Sequence, residues 1–134
     1  SLGCDASHLG HLDRRALIEL FGSAAVGVVT PRWSEPFGLV AAEMLSCGLP
    51  VAALDRGALA SIVRPGVGHL ACDVAGLAEA MRRCVDVSRV ACRSHAIRHL
   101  SDDRMVDDYV NLYESTIRRR TSDCGVEHSL TPVA

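Results

Sequence analysis

Two continuous apolar runs mark the first strands that the sequence predicts. The run AAVGVVT covers residues 24–30, and the run LPVAAL covers residues 49–54. An uninterrupted apolar strand is typical of a parallel sheet that is covered on both faces. Between the runs a helix is predicted to begin near Gly38 and to end at Gly48, because glycine favours the left-handed cap and Pro50 cannot continue a helix. Strand, helix and strand together predict a right-handed βαβ unit.

A third strand and another helix are predicted next. The turn at Pro65 and Gly66 follows a short helical segment, GALASIV, and precedes the strand GHLAC at residues 68–72. Residues 73–85 then repeat apolar positions with the period of a helix that packs one face onto the sheet. Those positions are Val74, Leu77, Ala78, Met81 and Val85.

A second amphipathic helix is predicted from Asp102 to about Arg118. Beyond Arg120 no apolar period remains, which is typical of a loose terminal segment. The sequence therefore predicts a domain over residues 1–120 and a flexible tail over residues 121–134. The apolar positions of this helix are Met105, Val106, Tyr109, Val110, Tyr113 and Ile117.

Composition favours one globular domain, or part of one, for a chain of 134 residues. Apolar residues make up 49% of the chain and charged residues 22%, a balance that allows a real core. The formal net charge is −2 and aromatic residues make up only 4%, so neither a basic surface for phosphates nor a platform for stacked bases is indicated. Nucleic acid is therefore not expected as a partner.

The apolar pattern also argues against a membrane protein. No apolar run reaches the roughly 18 residues that a membrane span needs, and the N-terminus has neither the basic flank nor the apolar block of a signal peptide. The run IRRR at residues 117–120 would give weak, salt-sensitive attachment to an anionic surface, at about 1 kcal/mol per arginine. We expect a cytoplasmic protein whose membrane association is weak at most.

Neither the cysteines nor the histidines follow the spacing of a metal site. The six cysteines include no Cys-x-x-Cys pair, so reduced and mostly buried thiols are expected. The histidines form two close pairs, His8 with His11 and His95 with His99, but two ligands are too few and the acidic partner of a zincin helix is absent. No metal is expected.

The candidate chemistry lies in the segment PRWSEPFGLVAAEMLSCGLPVAA. It places Glu35 and Glu43 eight positions apart, just after the first predicted strand. Ligands of open parallel sheets bind at the carboxyl ends of the strands. Pro36 favours an extended backbone at Glu35, which keeps that carboxylate in the loop ahead of the helix. The sequence neighbours of Glu43 are apolar, so its charge favours a bound partner.

Between the two carboxylates, the start of the helix offers a phosphate site. Gly38 lets a ligand approach the backbone, and the N–H groups near Leu39 and Val40 have no acceptor inside the helix. Carboxylates accept paired hydrogen bonds from vicinal sugar hydroxyls. A phosphate between two polyhydroxy rings describes a nucleotide sugar. The alternative at this point is a turn residue at position 35 and an exposed helical carboxylate at position 43.

These residues resemble the retaining glycosyltransferases of family 4. Their E-x7-E motif is written here as EPFGLVAAE, from Glu35 to Glu43, and the following CGLPVAA is close to the family's usual ACGTPVVA. The resemblance runs from HLGHLDRRAL to Tyr113. It implies an α/β fold, namely the second half of a Rossmann-like doubly wound parallel sheet in the C-terminal domain of a GT-B glycosyltransferase. The strands would be the last three of the order 3-2-1-4-5-6.

The resemblance also implies the residues that bind the donor. Glu35 would be the catalytic residue, as a positioner of the sugar rather than as a base, and the segment LGHLD would frame the nucleobase. The implied sugar-binding residues are Glu35, Pro36, Phe37 and Gly38; the phosphate-binding residues are Gly38, Leu39 and Val40; the ribose-binding residue is Glu43; and the nucleobase-binding residues are Gly10, His11 and Leu12.

The implied reaction transfers a hexose from a nucleotide-diphosphate sugar to an unknown acceptor with retention of configuration. It needs neither a cofactor nor a metal. The family's early Arg and Lys that grip the pyrophosphate, and its N-terminal domain that holds the acceptor, have no counterpart in this sequence, so the chain alone is expected to be inactive. The sequence departs from the common family pattern at Arg32, and again at Ala60 and Ser61.

Two alternatives to an active transferase stay open. A truncated, non-catalytic remnant would keep the motif without the activity. A sugar-nucleotide epimerase shares the GT-B fold, but it carries a different acidic and glycine-rich loop in place of E-x7-E.

Overall fold

A parallel sheet of three strands organises the part of the chain that the structure describes. The structure is a computed structural model, and it describes residues 6–124, with side chains as far as residue 120. β1 spans Gly27–Val29, β2 spans Val51–Leu54 and β3 spans Gly68–Ala71, in the spatial order β1-β2-β3. Both neighbouring pairs are parallel. The predicted α/β class with a parallel sheet is therefore confirmed.

The strands are shorter than the apolar runs that predict them. β1 pairs with β2 from Gly27 opposite Val51 to Val29 opposite Ala53, so only the middle of the run AAVGVVT forms a ladder. A Cβ atom at Gly27 would overlap Met44 Sδ of the following helix, so a larger residue there would displace the Met44 side chain. Among the described residues β1 is an edge strand, since it pairs with β2 alone.

Helices connect and cover the strands, and two of them have no counterpart in the sequence prediction. These two are α1, which buries only Phe21, and α5, which buries only Cys92 and Ala96. The start of α1 does carry a signal, because the Asp13 carboxylate accepts a 2.8 Å hydrogen bond from the N–H of Ala16. The helices within the described residues are α1 (Arg14–Ser23), α2 (Leu39–Ser46), α3 (Leu59–Ile62), α4 (Val74–Cys84), α5 (Arg89–His99) and α6 (Asp102–Cys124).

α4 contacts β2 and β3 through a face that shares only Leu77 with the predicted one. The other predicted positions were wrong, because the helix is rotated so that Ala80 and Cys84 face the alanines of the sheet. The buried cluster consists of Leu77, Ala80 and Cys84 of α4 with Ala52 and Ala71 of the strands. The exposed members of the predicted face are Val74, Ala78, Met81 and Val85.

The guanidinium group of Arg89 joins the ends of two helices. Its Nη1 donates to the carbonyl oxygen of Ala24 at 2.8 Å, and its Nη2 donates to that of Phe21 at 2.9 Å. Longer bonds reach the carbonyl oxygens of Gly22 at 3.1 Å and Cys47 at 3.4 Å. The first three carbonyls belong to the end of α1, and Cys47 is the C-cap of α2. A cation at these helix ends satisfies carbonyls that have no intrahelical partner.

The cysteines divide between the core and the surface. Cys84 and Cys92 are buried, Cys47 is half-buried and Cys72 is exposed, and all four are free thiols. Free thiols agree with the prediction, but burial holds for only two of these four. The other two cysteine side chains lie outside the described residues.

Within the described residues the chain forms two compact units, which divide after residue 97. The first unit contains the sheet, and the second contains α6. This helix runs as far as Cys124, past the predicted start of the tail at residue 121. The rest of the predicted tail, residues 125–134, lies outside the described residues. No helix in the described part of the chain combines the length and the hydropathy needed to cross a membrane.

Candidate functional site

A cavity lies where β1 ends and α2 begins, and we call it the Glu35 cavity. Its volume is about 340 Å³. Four of the predicted site residues, Glu35, Gly38, Leu39 and Val40, line it together with Trp33. It therefore lies at the carboxyl end of a parallel strand, where open α/β sheets bind ligands.

Glu35 is fixed in this cavity through its backbone and through its side chain. Its carbonyl oxygen accepts a 2.8 Å hydrogen bond from the N–H of Ala58. Gly57 packs directly on the Glu35 backbone, where a Cβ atom would overlap the carbonyl oxygen. On the side chain, Glu35 Oε2 accepts a 3.1 Å hydrogen bond from Trp33 Nε1. Oε1 of the half-buried Glu35 remains available to a ligand.

Gly38 shapes the start of α2. It is the N-cap, with a left-handed φ of 95°, and no side chain caps the helix. This conformation favours glycine, and a Cβ atom at this position would also come within 2.9 Å of Leu59 Cδ2, so that the Leu59 side chain would have to shift. Because there is no side-chain cap, the first N–H groups of α2 remain available to an anion beside the Glu35 cavity.

Glu43 lines a separate cavity, which we call the Glu43 cavity, with a volume of about 310 Å³. Arg14 of α1 and Arg93 of α5 supply its other charged groups, and Arg93 Nη1 donates a 2.6 Å hydrogen bond to the Ser46 carbonyl oxygen. α2 buries its opposite face, so Glu43 is exposed. The prediction that apolar surroundings make this charge favour a bound partner was therefore wrong, because those neighbours are buried on the opposite face of α2.

A sequence model of the family described as "Glycosyl transferases group 1" matches residues 2–91. The chain belongs to this family. Among curated proteins it is 40% identical over 88 residues to a glycogen synthase of Mycobacterium tuberculosis, an alignment that covers 63% of this chain and 21% of the relative. It is 38% identical over 105 residues to a D-inositol 3-phosphate glycosyltransferase of Catenulispora acidiphila, covering 70% of this chain and 24% of the relative.

A D-inositol 3-phosphate glycosyltransferase of Mycobacterium avium aligns over more of the chain. The identity is 36% over 120 residues, which is 82% of this chain and 28% of that protein. The chain thus spans roughly a fifth to a quarter of the length of these relatives. For a group 1 glycosyltransferase, the parallel sheet and its helices agree with a Rossmann-like C-terminal domain of the GT-B fold.

The other sequence-predicted site residues of the chain lie outside the two cavities. Pro36 and Phe37 are exposed in the loop between Glu35 and α2, and neither lines the Glu35 cavity. In the segment ahead of α1, Gly10 and His11 are exposed and Leu12 is half-buried. These three residues line neither cavity.

Sequence reasoning missed four residues that shape the two cavities. Trp33 had a usable signal, because residues two apart in an extended segment point to the same side, and Trp33 precedes Glu35 by two. The other three residues had no such signal, because only the tertiary fold brings them to the cavities. Gly57 contacts the backbone of Glu35, and Arg14 and Arg93 line the Glu43 cavity. Among the described residues, no group of three His, Cys, Asp or Glu side chains is arranged to hold a metal ion.

Proposed function

We propose that this chain binds the nucleotide-sugar donor in a retaining hexosyltransferase of family 4, as part of a longer protein. Membership of the group 1 glycosyltransferases makes the chain part of a transferase.

The arrangement of Glu35 is the observation that carries this proposal. Its carboxylate lies in a cavity beside the uncapped N-terminus of α2, and its backbone is fixed by the Gly57–Ala58 turn. A carboxylate beside an anion site provides acceptors for sugar hydroxyls next to donors for phosphate. A sugar joined to a diphosphate needs that combination.

The proposed donor lies with its hexose against Glu35 and the 36–38 loop. Its phosphate oxygens accept hydrogen bonds from the backbone N–H groups at Gly38, Leu39 and Val40. Glu43 then binds the ribose hydroxyls, with its exposed carboxylate one helical turn along α2. Because Glu43 lines a separate cavity, the nucleotide must pass along the start of α2 to reach both carboxylates. The nucleobase is assigned to the segment that contains Gly10, His11 and Leu12.

In the proposed reaction Glu35 orients the sugar while the acceptor attacks from the side on which the phosphate leaves. The nucleophile is the acceptor hydroxyl, and the departing donor phosphate takes its proton. No side chain of this chain acts as a nucleophile in the proposal. Neither a metal nor a cofactor is part of the proposal. The names of the relatives point to two different acceptors, glycogen and D-inositol 3-phosphate, and both belong in the test.

The test uses the intact protein with a panel of nucleotide-diphosphate hexoses and these two acceptors. Release of nucleotide diphosphate measures donor use, and the proton coupling constant of the new anomeric centre in the NMR spectrum gives its configuration. Acceptor-dependent transfer with retention supports the proposal, and an inverted product contradicts it. Binding without turnover would indicate a non-catalytic remnant, and conversion of the sugar without any acceptor would indicate an epimerase.

A further inference from the structure

Trp33 is an exposed aromatic residue that core packing does not explain. Its side chain is 63% exposed, although it lines the Glu35 cavity. Its indole N–H is used, since Nε1 donates the 3.1 Å hydrogen bond to Glu35 Oε2. A single exposed apolar ring is common on protein surfaces, but Trp33 differs from such residues because it lines the Glu35 cavity and donates to its carboxylate.

The hydrogen bond constrains the side chain of Glu35, which its backbone hydrogen bond and the contact with Gly57 leave free to rotate. Ala58 and Gly57 fix the peptide at Glu35, but a glutamate side chain still has three rotatable bonds. Anchoring Oε2 on a donor in the same loop limits those rotations. It also leaves both lone pairs of Oε1 to accept from a ligand.

We propose that Trp33 is a positioning residue for donor binding, because its indole N–H sets the direction of the Glu35 carboxylate in the Glu35 cavity. This inference rests on the proposed function, in which Glu35 accepts hydrogen bonds from the hydroxyls of the donor sugar. It predicts that Trp33 acts through Glu35, and that loss of the indole N–H leaves the affinity for the free nucleotide diphosphate unchanged.

The first test is a double-mutant cycle in the intact protein. Calorimetry measures the binding of the nucleotide-diphosphate hexose selected by the activity panel, and of its free nucleotide diphosphate, to wild type, Trp33→Phe, Glu35→Ala and the double variant. Phenylalanine keeps an aromatic ring, although a smaller one than indole, and removes the N–H donor. We expect Trp33→Phe to weaken sugar-nucleotide binding by about tenfold, on the scale of a hydrogen bond to a charged group, with free nucleotide affinity changed by less than about twofold.

The cycle separates action through Glu35 from direct action by the ring. In the Glu35→Ala background, Trp33→Phe should cause no further loss, since there is no carboxylate left to orient. An equal loss in both backgrounds, or no loss in either, overturns the inference while the proposed function stands. A wild-type protein that binds no sugar nucleotide overturns the proposed function and this inference with it.

A second readout follows Trp33 itself and needs no ligand. Trp33 is the single tryptophan of the 134 residues, and the difference in emission between wild type and Trp33→Phe isolates its signal in a longer protein. The corresponding difference between Glu35→Ala and the double variant should be shifted in wavelength, because the indole loses its carboxylate partner. The control is Tyr113→Phe, which removes a polar group from an exposed aromatic residue that lines neither cavity. An unchanged Trp33 spectrum in Glu35→Ala contradicts the inference.

Discussion

Gly57 lies against the backbone of Glu35 so closely that a Cβ atom at position 57 would overlap the Glu35 carbonyl oxygen. That same oxygen accepts the N–H of Ala58 at 2.8 Å. Gly57 also has a left-handed φ of 60°. The loop that presents Glu35 thus depends on a residue 22 positions later in the chain, through a contact that only glycine permits.

Gly57→Ala should therefore destabilise the protein and displace Glu35. We expect a loss of about 2 to 5 kcal/mol, from left-handed strain of about 1 to 2 kcal/mol and from overpacking of about 1 to 3 kcal/mol. Chemical unfolding and donor calorimetry would measure the two effects. Gly66→Ala is the matched control, because Gly66 has a φ of 93° and open space around its missing Cβ. Losses of equal size in the two variants would contradict the proposed contact.

The two carboxylates should differ in what they contribute. Glu43→Gln is expected to weaken nucleotide-diphosphate binding by about 1.5 to 3 kcal/mol, the scale of hydrogen bonds to a charged group. Glu35→Gln should chiefly lower turnover and nearly preserve that affinity. Glu79→Gln is the control, since Glu79 lies exposed on α4, where it pairs with Arg82 at 2.7 Å. Calorimetry that ranked the two site variants in the opposite order would reverse the assigned roles.

Arg89→Met should loosen the ends of α1 and α2. Four carbonyl oxygens lose their shared cationic donor, which we expect to lower the free energy of unfolding by about 2 to 4 kcal/mol. Hydrogen exchange should also accelerate at the last turn of α1. Arg82→Met, which removes an exposed i,i+3 ion pair, should cost less than about 1 kcal/mol. Similar losses from both substitutions would mean that the Arg89 contacts contribute little.

Stability should fall as the pH is lowered through the titration of His69. Burial, and then the nearby Arg83 guanidinium, lower the pKa of His69 from its ordinary value of 6.5. Between that lowered pKa and pH 6.5, the unfolded chain binds more protons than the folded one. The stabilisation that neutral His69 gives the folded state is therefore complete above pH 6.5, and it is lost as the pH falls towards the lowered pKa. His69→Gln should reduce this pH dependence, measured as unfolding midpoints from pH 5 to pH 8. An unchanged slope would exclude His69 as its source.

The thiols should separate by reactivity. Burial raises the pKa of Cys84, and burial together with the neighbouring Cys84 raises the pKa of Cys92 to about 11. Because the thiolate is the reactive form, iodoacetamide at pH 8 should leave both unmodified while it alkylates the exposed Cys72. Mass spectrometry of peptides would locate the label, and denatured protein provides the fully labelled control. Early modification of Cys92 in the folded protein would contradict its burial.

Part of the candidate site could be predicted from the sequence because its geometry is local. Glu35, Gly38, Leu39 and Val40 follow one another within six positions, so a strand end and a helix start suffice to bring them together. Glu43 follows in the same helix, but its exposure could not be predicted from its sequence neighbours. Which face α2 buries is decided by the sheet and by the helices around it.

The sequence by itself determined the parallel strands, the helix between Gly38 and Gly48 and the E-x7-E motif. Apolar runs and left-handed glycines act over a few residues, so neighbouring positions are enough to specify them. The tertiary structure decided the buried face of α4, the Arg89 bonds and the close approach of Gly57 to Glu35. Each of these joins segments that are distant in the chain, and close packing then selects the side chain that fits, such as Ala80 in place of Met81.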